Sequence, residues 1–223
     1  MPFATEARAL LFDLDGTVAD THELIFGCLD QTARQILGVP FPRRLWQDHV
    51  GAPLADLFSL VCSTPQSQII EELVHCYRQM QLSLEHTIRP FPGVGQTLDD
   101  LRQRGMRLAV VTTKMRDVAI RHLDAIGLAR HFDAIVGFDD CIRPKPDAEP
   151  FLRAAQALGV APAAAAGVGD SPVDVQGARA AGMVSIAAMW GTVSRDAVLA
   201  TRPDHVVTRP SELLDLLPSH GIS

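Results

Sequence analysis

The apolar run Leu10-Leu11-Phe12 ends on Asp13-Leu14-Asp15-Gly16-Thr17, two carboxylates two positions apart with a glycine and a hydroxyl behind them. On an extended strand alternate side chains share a face, so Asp13 and Asp15 point to the same side and each opposes ionisation of the other. A pure packing role would waste stability. By ordinary residue usage, an apolar run followed by D-x-D-G-T arises on the order of once in several thousand chains of this length. Three further segments carry groups that can handle an anion. Val110-Val111-Thr112-Thr113-Lys114 places hydroxyls and backbone amides ahead of a helix, where negative charge is favoured. Arg143-Pro144-Lys145-Pro146-Asp147 holds a lysine between two prolines that restrict its backbone. Gly167-Val168-Gly169-Asp170-Ser171-Pro172-Val173-Asp174 reads as a strand-to-helix turn with proline in the first helical turn.

Each of these three has an ordinary explanation when taken alone: a helix cap at Thr112, a solvated turn lysine at Lys145, a cap at Asp170 or Ser171. The Gly167-x-Gly169 turn also invites a dinucleotide-binding reading, but the third glycine of that fingerprint falls at Pro172, which excludes it. Joint placement decides between caps and a site. Asp13, Asp15, Thr112, Lys145, Asp170 and Asp174 all fall at or just beyond the carboxyl ends of expected strands, and independent caps have no reason to converge.

The elements that must position them follow from periodicity. Short apolar runs at 9–12, 108–111, 134–136, 164–168, 184–188 and 206–207 read as buried strands. Helical patterns between them, at 115–126, 148–158 and 172–181, each end before a glycine. Repeated strand–helix alternation predicts an open, mostly parallel α/β sheet covered by helices on both faces, with its ligand site at the carboxyl ends of the strands. Roughly 90 residues separate the first two core strands, far more than a crossover needs. That interval is helical in pattern, with Asp20 and Glu23 expected to form a capping box for a helix to about residue 37, then helices at 53–61 and 66–84. Pro90, Pro92 and Gly93 mark the return to the core, followed by a helix at 94–104.

With 47% hydrophobic and 21% charged residues, a chain of 223 residues can bury a full core. Twenty Lys and Arg against 26 Asp and Glu leave a net charge of −6, which repels a phosphate polymer and argues against a nucleic-acid partner. The longest stretch poor in polar residues, 157–169, is too short for a membrane span and is broken by Gly and Pro. The opening Met-Pro-Phe-Ala-Thr-Glu-Ala-Arg has no basic head followed by a long apolar region, so a cytoplasmic location is expected. Cys28, Cys62, Cys76 and Cys141 lack C-x-x-C spacing and are expected to be ordinary buried thiols.

Taken together, these segments resemble the motifs of the haloacid-dehalogenase-like superfamily of phosphotransferases, in the group with a helical cap inserted after the first motif. The four motifs are matched in order by Asp13-Leu14-Asp15-Gly16-Thr17, Thr112, Lys145, and Gly169-Asp170 with Asp174. Within it the chain looks like the phosphoglycolate phosphatase and bacterial inorganic pyrophosphatase branch, and Asp20-Thr21-x-Glu23, Val50-Gly51-x-Pro53-Leu54, Thr112-Thr113-Lys114, Lys145-Pro146-Asp147 and Trp190 look closest to its pyrophosphatase members. The resemblance implies a Rossmann-like doubly wound parallel sheet, with residues 1–17 and 90–223 as the catalytic core and 18–89 as the α-helical cap. It implies that Asp13 is the nucleophile and Asp15 the acid and base, with Thr112, Thr113 and Lys145 binding substrate. The implied cofactor is Mg²⁺, held by the Asp13 carboxylate, the Asp15 backbone carbonyl and Asp170, with Asp174 in support. A small phosphorylated metabolite, either a phosphoglycolate-type monoester or pyrophosphate, is the implied substrate, and a monomer or homodimer is expected.

Relatives that cleave carbon–halogen bonds lack the second acid of the first motif, so Asp15 argues for phosphoryl transfer. A sugar-phosphate phosphomutase keeps the same catalytic set and stays open as an alternative. A phospho-aspartate signalling receiver also combines an acidic sheet edge, a hydroxyl and a lysine, but Asp15 and the helical insert disfavour it, as filled catalytic positions disfavour a non-catalytic binding protein. In the insert, Arg43, Arg44, His49 and Arg78 are candidate anion contacts, and His22 is placed equally by a site-facing or an exposed reading.

Overall fold

The computed structural model describes residues 7–62 and 66–217. The amino-terminal segment read for a secretory signal lies largely outside them. Six strands form one parallel sheet: β1 (Ala9–Phe12), β4 (Arg107–Val111), β5 (Ala134–Val136), β6 (Ala165–Gly169), β7 (Val184–Ala188) and β8 (His205–Val207). Their spatial order is β5-β4-β1-β6-β7-β8, and every pairing is parallel. The chain winds outward from β1 through β4 to β5, then returns to β6 on the other side of β1. The order therefore reverses between β1 and β6, where a doubly wound sheet opens a crevice at its carboxyl edge.

Near-continuous burial of β1, β4 and β6 follows from helices covering both faces. On one face Ala9, Leu11, Ala109 and Val111 pack with Phe151, Ala154 and Leu158 of α7 (Glu149–Leu158) and Ala178 of α8 (Pro172–Ala180). Elsewhere Phe12, Val94 and Leu98 of α5 (Val94–Gln103), Leu213 and Trp190 line one small cavity. Small residues are what let the layers close. A side chain at Gly167 would meet Ala178 at 2.6 Å and Phe151 at 2.8 Å, so this glycine serves helix–sheet packing rather than a phosphate cradle.

The chain folds as two compact units, one made of the residues up to Asp20 with those from Arg89 onward, the other of Thr21–Ile88. Two short antiparallel strands, β2 (Ala19–Asp20) and β3 (Arg89–Pro90), belong to the first unit and flank the second in the chain. The second unit comprises α1 (His22–Leu37), α2 (Arg43–Asp48), α3 (Leu54–Ser59) and α4 (Ser67–Leu84). Its core is aromatic, with Phe58 edge-on to both Phe41 and Tyr77, and Trp46 against His22 and Phe26.

Two expectations need correction here, and of the two readings open for His22 one is excluded. The capping box of Asp20 and Glu23 does not form. Asp20 is used as a strand residue opposite Arg89, Thr21 takes the N-cap position of α1, and both Glu23 oxygens accept from Arg43. His22 is not exposed: the first turn of α1 lies under Trp46, which buries it. Of the four free thiols Cys28 alone is fully buried, while Cys62, Cys76 and Cys141 are half-buried.

Candidate active site

The switch between β1 and β6 brings two carboxylates together. Phe12 lies opposite Val168 in register, and the Asp13 N–H donates to the Val168 carbonyl at 2.8 Å. Asp13 is therefore locked at the last rung of the sheet, with Asp170 one residue beyond the end of the neighbouring strand. Ser171 caps α8 and Pro172 opens it. The Ser171 N–H and hydroxyl donate to Asp174 Oδ2 at 3.1 and 2.5 Å, which completes a capping box. Capping and a place in the carboxylate cluster are therefore compatible here, because the cap itself aims Asp174 at Lys145. A Cβ on Gly169 would sit 2.3 Å from Asp174, so only glycine leaves that carboxylate room.

Lys145 reaches the same point from the loop before α7. Its ammonium donates to Asp13 Oδ1 at 2.7 Å, to Asp174 Oδ1 at 2.5 Å and to the Val111 carbonyl at 3.0 Å. All three ammonium protons are therefore directed at acceptors from three separate segments. The ordinary reading of this lysine taken alone, a solvated turn residue, is excluded, since the side chain is 3% exposed. The first motif turns back on itself through Gly16, whose φ of +78° favours glycine. The N–H groups of Val18 and Ala19 both donate to the Leu14 carbonyl. This turn brings Thr17 inward, where its hydroxyl donates to Asp170 Oδ1 at 3.0 Å, while Trp190 Nε1 donates to the Thr17 carbonyl at 2.9 Å. Sequence reasoning gave Thr17 no role, although its fixed place four residues after Asp13 was a signal that could have found it.

Asp15 does not join the carboxylate cluster. Its Oδ2 is 2.7 Å from Lys114 Nζ, a pairing that sequence reasoning also missed. Thr112 is buried, and its hydroxyl oxygen accepts from the Lys114 N–H at 3.2 Å, leaving its own proton to donate; Thr113 is half-buried beside it. Both lie three or four residues ahead of α6 (Arg116–Ala125) rather than on its first turn. Behind this corner His122 is fully buried. Burial first, and then the Lys114 charge, pull its pKa down to about 4, so its ring is neutral at pH 7. In the insert, Arg43 is engaged by Glu23 and Arg44 by Asp48.

Electrostatically the cluster is short of positive charge. Burial, then the neighbouring Asp174 and Asp15, push the Asp13 pKa up to about 7, although Lys145 opposes this. Asp170 is raised well above the usual carboxylate range by burial and by Asp13 and Asp174. Burial alone would depress the Lys145 ammonium, but Asp13 and Asp174 outweigh it and raise its pKa. Ligand oxygens of Asp13, Asp170 and Asp174 all lie within 4.8 Å of one another. Three carboxylates against one ammonium, all oxygen donors, form a set that fits a hard divalent cation such as Mg²⁺.

A doubly wound sheet carrying an acidic cluster and a buried lysine at its switch point is a site suited to a hard cation and an anionic ligand. Residues 10–188 match the haloacid dehalogenase-like hydrolase family, and the chain belongs to it. It is 33% identical over 213 residues to Pyrophosphatase PpaX from Halalkalibacterium halodurans, covering 95% of this chain and 97% of that one. It is 32% identical to Phosphoglycolate phosphatase from Aquifex aeolicus, covering 96% and 98% respectively. Among solved structures, a haloacid dehalogenase-like hydrolase from Streptococcus pneumoniae superposes with a TM-score of 0.82 at 28% identity, covering 95% of this chain and 98% of that one. Among the described residues no helix is long and apolar enough to cross a membrane.

Proposed function

We propose that this protein is a Mg²⁺-dependent phosphohydrolase that works through an aspartyl-phosphate on Asp13, with inorganic pyrophosphate or a phosphoglycolate-type monoester as substrate. The observation that carries this reading is the meeting of Asp13, Asp170, Asp174 and Lys145 at the β1–β6 edge, with a second carboxylate, Asp15, held apart from them. A carboxylate approaching a phosphate meets like-charge repulsion of roughly 4 kcal/mol per unit charge at about 4 Å and an effective dielectric of about 20. Bound by Asp13, Asp170 and the Asp15 carbonyl with Asp174 in support, Mg²⁺ supplies the positive charge that offsets this repulsion and keeps Asp13 ionised.

The protein's own groups do the rest. Lys145 orients Asp13 and lies beside the incoming phosphoryl oxygens, with the Thr112 hydroxyl and the Thr113 segment as further donors. The Asp13 oxygen forms a bond to phosphorus as the bond to the leaving oxygen breaks, and that oxygen takes a proton from Asp15. Water then attacks the aspartyl-phosphate, giving its proton to Asp15 and releasing phosphate and free Asp13.

The test is phosphate release from pyrophosphate, phosphoglycolate and p-nitrophenyl phosphate with Mg²⁺, for wild type and Asp13→Asn. Wild type should release phosphate only with the metal, and Asp13→Asn should release none while keeping its circular dichroism spectrum. Substantial turnover by Asp13→Asn would exclude the covalent route. Interconversion of sugar phosphates without net phosphate release would instead mark a phosphomutase.

A further inference from the structure

The two lysines of the site are held in different ways. Lys145 has its three protons committed to Asp13, Asp174 and Val111. Lys114 directs its ammonium at Asp15 Oδ2 at 2.7 Å, and an ammonium has two further protons to offer. Its side chain is 11% exposed and that of Asp15 16%, so the pair is screened yet open to a ligand. The Lys114 backbone is fixed at both ends. Its N–H donates to Thr112 Oγ1 at 3.2 Å and its carbonyl accepts from the Phe138 N–H at 2.7 Å. With the backbone held, the pairing with Asp15 is what keeps the ammonium in place before any ligand arrives.

In the reaction proposed above, on which this inference rests, Asp15 delivers its proton to the leaving oxygen, so whatever is bonded to that oxygen lies against the Asp15–Lys114 pair. In a monoester that neighbour is an uncharged carbon. In inorganic diphosphate it is a second phosphorus bearing anionic oxygens. We propose that Lys114 forms a subsite for the departing phosphate of a diphosphate and thereby makes a phosphate leaving group preferred over an alcohol. The bridging P–O bond breaks with its electron pair going to the bridging oxygen. That oxygen takes the Asp15 proton, and the departing hydrogen phosphate is held by Lys114 until it leaves.

The experiment compares kcat/KM for pyrophosphate, phosphoglycolate and p-nitrophenyl phosphate in wild type, Lys114→Gln and Lys114→Arg with Mg²⁺ present. Loss of a charge-assisted contact to the leaving group should lower the pyrophosphate value in Lys114→Gln roughly 10- to 100-fold more than either monoester value. Lys114→Arg, which keeps the charge, should recover most of it. In wild type, methylenediphosphonate should inhibit at least about tenfold more tightly than methylphosphonate, a measurement that needs no variant to fold. Equal losses for all three substrates, a phosphoglycolate loss as large as that for pyrophosphate, or no preference for the diphosphonate would overturn the subsite while leaving the hydrolase reading intact. Absence of phosphate release from every substrate by wild type would instead remove that reading, and the subsite with it.

Discussion

Charges at the carboxyl edge of the sheet and charges in the helical unit are arranged on opposite principles. In Thr21–Ile88, Arg43 grips Glu23 with two hydrogen bonds of 2.7 and 2.8 Å and lies over the Phe26 ring, yet the two side chains are 45% and 76% exposed. Arg34 with Asp30 and Arg44 with Asp48, each pair one helical turn apart, also lie at the surface. Such pairs exchange water contacts for each other at little net gain. At the sheet edge, by contrast, Asp13, Asp170, Asp174 and Lys145 are buried, and desolvation is the first influence on the pKa of Asp13, Asp170 and Lys145. Unfavourable charge can persist there because the sheet register, the α8 cap and the Gly16 turn fix each group independently. Buried charge of this kind is a cost to folding that a bound cation would relieve.

Substitution should separate the two regions most sharply at Lys145. Lys145→Met leaves three buried carboxylates without their cation, so turnover should fall on the order of 10³-fold. Urea unfolding in EDTA should show a stability loss of about 3–5 kcal/mol, partly restored by excess Mg²⁺. A fully active, equally stable variant would mean that the sheet edge behaves like the surface pairs.

The next effect is a dependence on pH. The folded pKa of Asp13 lies above its ordinary value of 3.8, at about 7 without metal. The folded state therefore binds this proton more tightly than the unfolded state. The resulting stabilisation is complete below pH 3.8 and is lost as pH rises through about 7. Relative to Asp13→Asn, metal-free wild type should lose up to about 4 kcal/mol between pH 4 and 8. Denaturant titrations of both proteins in EDTA measure the difference. A difference that stays constant with pH would show that Asp13 titrates normally, as an exposed carboxylate would.

The smallest effect is expected in the helical unit. Arg43→Ala removes a bidentate pair and a cation–ring contact, but at a solvated position, so the urea midpoint should not move resolvably. A clear destabilisation would break the contrast by showing that this surface pair organises α1 against α2.

Much of the core was readable because parallel strands buried on both faces must be written as short apolar runs, and because helices before glycine end where their pattern ends. The runs at 9–12, 134–136 and 184–188 coincide with β1, β5 and β7. The run placed at 164–168 is shifted to Ala165–Gly169, since Gly169 pairs with Ala187 and carries the strand up to Asp170. The capping box at Asp20 was illegible because local spacing cannot show that β3, nearly 70 residues on, claims Asp20 for strand pairing.

The sequence by itself determined which residue types stand at the strand ends, and hence the family, the sheet and the acidic character of the site. Tertiary structure alone decided how those residues are paired. Asp13 and Asp15 belong to one strand end, yet one faces Lys145 and the other Lys114, because the Gly16 turn ends the extended geometry that would have kept them together. Thr17 reaches Asp170 across 153 residues, and Lys145 reaches Asp13 across 132. Spacing along a chain encodes local periodicity, whereas a choice between two carboxylates for one cation depends on distances that exist only once the sheet has closed.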